Sequence, residues 1–239
     1  MLTFFAVSHW SLLRAAGQPL ASANENTVFP ESVWQTATPE EVGMDSAKVA
    51  QALATLPEPA VVIRHGKIIA SKGDITRPGY IWSASKSLVA LIAARLIQQG
   101  YITLDTPVPE SNDPDGPLAT YRQFLSMTSD YRLPPRSPGD HYAYNNGAVV
   151  HYANQIKSQY FPDKSEIDML KEAYLNTIGF EDSLDYTWYM SGWGGGWSMS
   201  TRDIARVAYL VLRDGRWKEQ QILPESFVHD LFVNQIPEH

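Results

Sequence analysis

The sequence predicts an α+β fold, an antiparallel sheet flanked by helices plus a mostly helical lobe. Three observations lead there. Two short apolar runs flank His65-Gly66 and read as one β-hairpin, while almost everything after it carries helical periodicity. Hydrophobic residues make up 44% and charged residues 19% of the 239 residues, a globular balance that excludes disorder, collagen and coiled coil. Apart from Gly147, Pro and Gly fall between the periodic segments rather than inside them.

The elements follow in order. Met1 to Ala23 ends in Ala21-Ser22-Ala23, an A-x-A-like cleavage site, but His9, Trp10 and Arg14 break the apolar run before it. Residues 1–28 are therefore read as an N-terminal extension or degenerate signal segment. The compartment stays unknown, with periplasmic or secreted favoured over cytoplasmic. Phe29 to Glu41 reads as an extended arm. Asp45 caps a helix over Ser46–Leu56 with Val49, Leu53 and Leu56 on one face, and Pro57 and Pro59 stop it. Ala60–Arg64 and Lys67–Ser71 form the hairpin, with Lys72-Gly73-Asp74 closing its second strand.

The run Leu88 to Gln99 has almost no polar face, so it predicts a buried helix, with Gly100 at its C-terminal end. Asp105–Pro117 is a Pro/Asp-rich loop. Helices are expected over Tyr121–Met127, Asn146–Gln159, Ser165–Thr177 and Thr201–Arg213, the last with Ile204, Val207, Leu210 and Val211 inward. Pro224-Glu225-Ser226 starts a final helix running into the C-terminus.

Composition also narrows function. Lys plus Arg is 19 against 26 Asp plus Glu, a net charge of −7, and no basic run supplies the field that nucleic-acid binding needs. Without cysteine there is no disulfide, thiolate nucleophile or Cys-ligated metal. No stretch of 18 apolar residues predicts a transmembrane segment. His65, His141 and His151 lack ligand spacing and read as surface or packing histidines. Asn112 to Gly116 has acidic-loop character, but Pro114 and the lack of a downstream Glu argue against a calcium loop. No cofactor and no metal are expected.

Ser83 and Lys86 stand three apart at the head of the buried helix, a spacing that puts both on one face. A serine hydroxyl becomes a nucleophile only when a base takes its proton. Lysine serves as that base only when its pKa falls well below ~10.4, which burial achieves. Ser-x-x-Lys alone is weak, and a capping Ser followed by a surface Lys would look the same. Tyr144-x-Asn146 follows a Pro-Gly-Asp turn: a phenol can relay a proton, and an Asn amide can grip a substrate carbonyl. Taken alone it reads equally as a turn that caps the next helix.

Five blocks in order carry a resemblance. They are Val61–Ser71, Trp82-Ser-Ala-Ser-Lys-Ser87 with Gln99–Pro107, Thr120–Ser129, Pro138–Asn146, and Gly192–Gly215. Together they resemble the serine β-lactamase/penicillin-binding-protein superfamily. The likeness is closest to its class C-like branch of D-Ala-D-Ala carboxypeptidases, esterases and 6-aminohexanoate-dimer hydrolases. The resemblance implies a β-lactamase/transpeptidase-like domain over residues 29–239. It also implies a serine hydrolase that cleaves an ester or amide bond through an acyl-enzyme. By position, Ser83 would be the acylated nucleophile and its N–H one oxyanion donor. Lys86 would be the base or relay, Tyr144 the partner that protonates the leaving group, and Asn146 the substrate-orienting amide. Tyr142, without an Asn two residues on, would be a packing residue. The expected partner is a small ester, amide or peptide.

The family's third motif, a Lys/His-x-Gly strand, is not found after Gly215. The expectation is therefore a C-terminally incomplete domain whose hairpin has an unpaired edge through which chains could associate. The alternative is a non-catalytic module that binds a peptide or partner protein. Trp188, Trp193 and Trp197 read equally as walls of a cleft or as core.

Overall fold

A computed structural model describes residues 28–111, 117–133 and 137–233. The N-terminal segment, residues 112–116 and 134–136, and the C-terminal residues 234–239 into which the final helix is expected to run lie outside the described residues.

In chain order the main elements begin with β1 (Gln35–Thr36), α1 (Ser46–Ala54), β2 (Ala60–Arg64), β3 (Lys67–Lys72) and α2 (Ser85–Gln98). Then come α3 (Tyr121–Leu125), α4 (Asn146–Tyr160) and α5 (Glu166–Leu170). The helix of α5 continues through a π turn, Lys171–Leu175. The chain goes on with β4 (Asp185–Tyr186), β5 (Trp197–Met199), α6 (Thr201–Leu212), β6 (Arg216–Trp217), β7 (Gln220–Gln221) and α7 (Glu225–Asp230). The fold is α+β, as the sequence predicts. The chain divides into two compact units: residues 1–79, 178–183 and 199–212 form one, and the rest form the other.

The first unit is built on the hairpin. β2 and β3 pair antiparallel, with a register irregularity between Val62 and Ile63. His65 (φ 51°) and Gly66 (φ 80°) both take left-handed conformations, as a two-residue hairpin turn requires. Gly66 has a second reason to be glycine. A Cβ there would lie 1.7 Å from the Val28 carbonyl oxygen, because the Val28 N–H donates to the His65 carbonyl at 3.0 Å. The arm read as merely extended contributes β1, which pairs parallel with β3, so this sheet is mixed rather than purely antiparallel. Its order is β1-β3-β2, leaving β2 with one strand neighbour among the described residues.

Helix α1 is shorter than expected but capped as expected, the Asp45 carboxylate accepting the Lys48 N–H at 3.0 Å. Val49 and Leu53 are buried. Helix α6 buries Val207 and Leu210, as predicted, leaves Ile204 and Val211 partly exposed, and also buries Asp203 and Arg206, two charged residues not expected in the core. The reason is a polar network. Arg206 donates to the Glu31 and Ile178 carbonyls at 2.9 and 3.0 Å and to the Glu181 carboxylate at 2.8 Å. The Asp203 carboxylate accepts the backbone N–H groups of Glu181 and Asp182 at 2.7 and 3.0 Å. Burial pushes the Asp203 carboxyl above its usual range against those hydrogen bonds.

The second unit centres on α2, where Leu88, Val89, Leu91, Ile92, Ala93, Ala94 and Leu96 are all buried. Tyr174 from the π turn donates its hydroxyl to the Leu88 carbonyl at 3.1 Å. The predicted helix over Ser165–Thr177 thus exists but is interrupted by that turn. Helix α3 carries a full capping box between Thr120 and Gln123, and α4 is capped by Asn145, which accepts the Ala148 N–H. Trp193 and Trp197 are fully buried core residues, and the Trp193 indole N–H donates to Asn154 at 2.9 Å. Trp188 is 51% exposed. The cleft and core readings of the three tryptophans therefore divide between them.

Candidate active site

Ser83 lies in a single 3-10 turn, Trp82–Ala84, that leads directly into α2. This turn is pinned from three directions. The Ile81 N–H donates to the Trp197 carbonyl and the Ala84 N–H to the Ile81 carbonyl, both at 3.0 Å. The Trp197 N–H in turn reaches the buried Ser85 hydroxyl at 3.4 Å. The apolar run behind Ser83 thus acts as a buried post, and its first turn presents an exposed hydroxyl.

Three side chains named from the sequence meet there. The Ser83 Oγ is 2.7 Å from the Tyr144 hydroxyl. The Lys86 Nζ donates to Ser83 Oγ at 3.2 Å and lies 4.8 Å from the centre of the Tyr144 ring. Asn146 stands close by: a Cβ built on Gly194 would lie 3.3 Å from both Asn146 Oδ1 and Lys86 Nζ. Lys86 is only half-buried, not shielded on all sides as the apolar helix suggested, because it sits on the first turn where the helix emerges. Tyr142 is 50% exposed, so the packing role expected for it does not hold.

One participant was not visible in the sequence. The Gly194 carbonyl accepts a 2.7 Å hydrogen bond from Lys86 Nζ. It belongs to the glycine run, where a turn over Gly192–Gly194 is closed by the Gly195 and Gly196 N–H groups, both donating to the Gly192 carbonyl. A run of glycines flanked by tryptophans was a signal for close backbone approach, but not for which carbonyl would be aimed at Lys86.

The electrostatics favour the phenol as a proton carrier. Partial burial alone would raise the Tyr144 pKa, but hydrogen bonding to Lys86 and Ser83 and the ammonium charge outweigh it, and the net direction is downward. A phenol so lowered is more readily ionised, the adjacent ammonium stabilises its phenolate form, and that phenolate can accept the proton of a serine hydroxyl beside it. Among the described residues no group of His, Asp and Glu could hold a metal ion. His141 faces Asp130 at 3.1 Å, and His151 is stacked on Tyr131 with ring centres 4.5 Å apart.

The family model described as Beta-lactamase matches residues 60–229, well over half of the chain, and the chain belongs to that family. Solved structures agree in fold. A candidate 6-aminohexanoate-dimer hydrolase from Bacillus anthracis superposes with a TM-score of 0.62 at 19% identity, covering 93% of this chain and 73% of that one. A candidate β-lactamase from Bacteroides dorei gives a TM-score of 0.61 at 19% identity, covering 73% of this chain and 63% of that one. A β-lactamase from Mycobacterium bovis gives 0.59 at 23% identity, covering 76% and 64%. The chain thus spans less than two thirds of the latter two proteins. No curated protein sequence matches it.

Proposed function

We propose that the chain is a serine hydrolase that opens an ester or amide through an acyl-enzyme on Ser83. The observation that carries this reading is the contact of Ser83 Oγ with Tyr144 at 2.7 Å and with Lys86 at 3.2 Å. In the first half-reaction the Ser83 proton passes to the Tyr144–Lys86 unit as Oγ bonds to the substrate carbonyl carbon. The Lys86 charge offsets the phenolate form of Tyr144 beforehand. Asn146 orients the substrate amide or ester, and the Ser83 N–H is one donor to the carbonyl oxygen as it becomes negative. When the intermediate collapses, the carbonyl's bond to the leaving oxygen or nitrogen breaks and the Tyr144 proton goes to that atom. Water then takes the place of the serine: its proton passes to the same unit, its oxygen joins the acyl carbon, and Ser83 leaves with a proton restored.

The family membership supports a carbonyl substrate. The proteins similar in fold are named for opening a β-lactam or an aminohexanoate amide, and both names describe acyl chemistry. Covalent labelling with a fluorophosphonate tests the reading. The native chain should be labelled at Ser83, and Ser83→Ala should be unlabelled and give no burst on p-nitrophenyl acetate. A burst from Ser83→Ala would place the nucleophile elsewhere.

A further inference from the structure

Trp82, the residue before Ser83, is unusual in two independent ways. Its backbone is left-handed, φ 48°, where any residue with a Cβ is strained and glycine is the natural occupant. Its indole is 53% exposed, although an indole gains most from being covered. The flanking hydrogen bonds of Ile81 and Ala84 dictate the turn, so the fold needs a left-handed residue there but has no need of an indole. Tyr80, 43% exposed, holds its ring 5.9 Å from that of Trp82 at an angle of 48°. A second half-exposed indole, Trp188, lies against Gly192, where an added Cβ would come within 2.4 Å of its ring carbons. Gly192 opens the turn whose last carbonyl holds Lys86. Exposed aromatic surface is thus attached to two of the three segments that carry the polar groups of the site.

We propose that Trp82, backed by Tyr80, is the specificity-determining surface of this site, and that it receives the ring of a neutral aromatic ester whose carbonyl lies over Ser83. This rests on the reading of Ser83 as nucleophile. A substrate ring stacked on the indole removes apolar surface of both partners from water and gains an offset aromatic contact. A methyl ester offers nothing to that surface.

Matched esters test it: methyl acetate, benzyl acetate with the ring on the alcohol side, and methyl phenylacetate with the ring on the acyl side. The native chain should prefer at least one ring-bearing ester in kcat/KM. Trp82→Gly should lower that preference about three- to tenfold, chiefly through KM, which is the worth of one aromatic contact. Trp82→Phe should keep most of it. The melting temperature of Trp82→Gly should not fall, because glycine relieves the left-handed backbone, so lost preference is not lost folding. A readout independent of turnover is calorimetric titration of benzyl acetate into Ser83→Ala, which should weaken by the same factor when Trp82→Gly is added. An unchanged preference together with unchanged affinity overturns the proposal. So does a concentration-dependent dimer that Trp82→Gly dissolves while the preference stays, since the indole would then cover a second copy. Failure of the nucleophile reading looks different: Ser83 goes unlabelled, yet the titration still reports on Trp82.

Discussion

Gly194→Ala is the most incisive perturbation of the site, because it adds one methyl group at the meeting point of Lys86 and Asn146. The new Cβ would lie 3.3 Å from Lys86 Nζ, 3.6 Å from Lys86 Cε and 3.3 Å from Asn146 Oδ1. These are tight rather than impossible contacts, so the neighbours must yield by a few tenths of an ångström. Both are ends of side chains, so the fold survives. But Lys86 Nζ is held by Ser83 and by Gly194 itself, at 3.2 and 2.7 Å, and any retreat lengthens those bonds. Misplacement by about 1 Å costs on the order of 10²-fold, so a few tenths should cost roughly three- to tenfold in kcat. The assay is kcat and KM on a short-chain ester, alongside the rate of fluorophosphonate labelling and the melting temperature. The neighbouring glycines serve as contrast. A Cβ on Gly196 would sit 2.1 Å from the Thr187 carbonyl oxygen and one on Gly195 would sit 2.4 Å from that of Met190, so alanine at either should unfold the turn. Native kcat and labelling rate in Gly194→Ala would refute the idea that the Gly194–Lys86 contact positions the proton-transfer group, as would a collapse in stability matching that of Gly196→Ala.

Four further outcomes follow from the structure. Tyr144→Phe should lose about 10²–10⁴-fold in kcat, the worth of a positioned acid/base, whereas Tyr142→Phe should be mild; the reverse pattern would exchange the two phenols. Since the Tyr144 pKa is lowered and its ionised form accepts the proton, kcat/KM should rise with pH up to a limit below the ordinary phenol range, and stopped assays across pH should show Tyr144→Phe without that limb. Lys86→Arg should fail to rescue Lys86→Ala, because a guanidinium presents a planar fork where a compact ammonium donates to both Ser83 Oγ and the Gly194 carbonyl; recovery of activity would argue that only a positive charge is needed. Arg206→Met should cost about 3 kcal/mol in urea unfolding, since it takes the Arg206 donors from the buried Ile178 carbonyl and the Glu181 carboxylate, though Arg202 still pairs Glu181 at 2.9 Å. A cost under ~1 kcal/mol would mean the network reorganises around the loss.

The parts of this protein that were readable from sequence are those decided within one turn of chain. Asp45 caps α1 because its carboxylate reaches an N–H three residues on, and His65-Gly66 makes a hairpin because both residues tolerate left-handed backbone. Ser83 and Lys86 share a face for the same local reason. What was not readable depends on partners far along the chain. Nothing in the local pattern marks Arg206 as a buried charge, because its acceptors include residue 31, 175 positions away. The Gly194 carbonyl meets Lys86 across 108 positions, and nothing in a glycine says which way its carbonyl points. The strand β1 holds only two residues, too few to show a period. The tryptophans differ in exposure although the Tyr186 ring lies against all three, 4.7 Å from Trp197, 5.5 Å from Trp193 and 6.0 Å from Trp188.

The burial of α2 ties chemistry to the slowest motions of its unit. An element with seven apolar residues buried has no local way to fray in its middle, so its amide protons should exchange only when the whole unit opens. The 3-10 turn before it, carrying Ser83, lies at the exposed end. The helix therefore joins a rigid rear to an accessible front within five residues, from Ser83 to the buried Leu88. Truncations along its rear, such as Leu88→Ala or Ile92→Ala, would shift the population of the open form without touching the reacting atoms. Loss of labelling at Ser83 on heating would then track the opening of this unit, making that label a built-in clock for its unfolding.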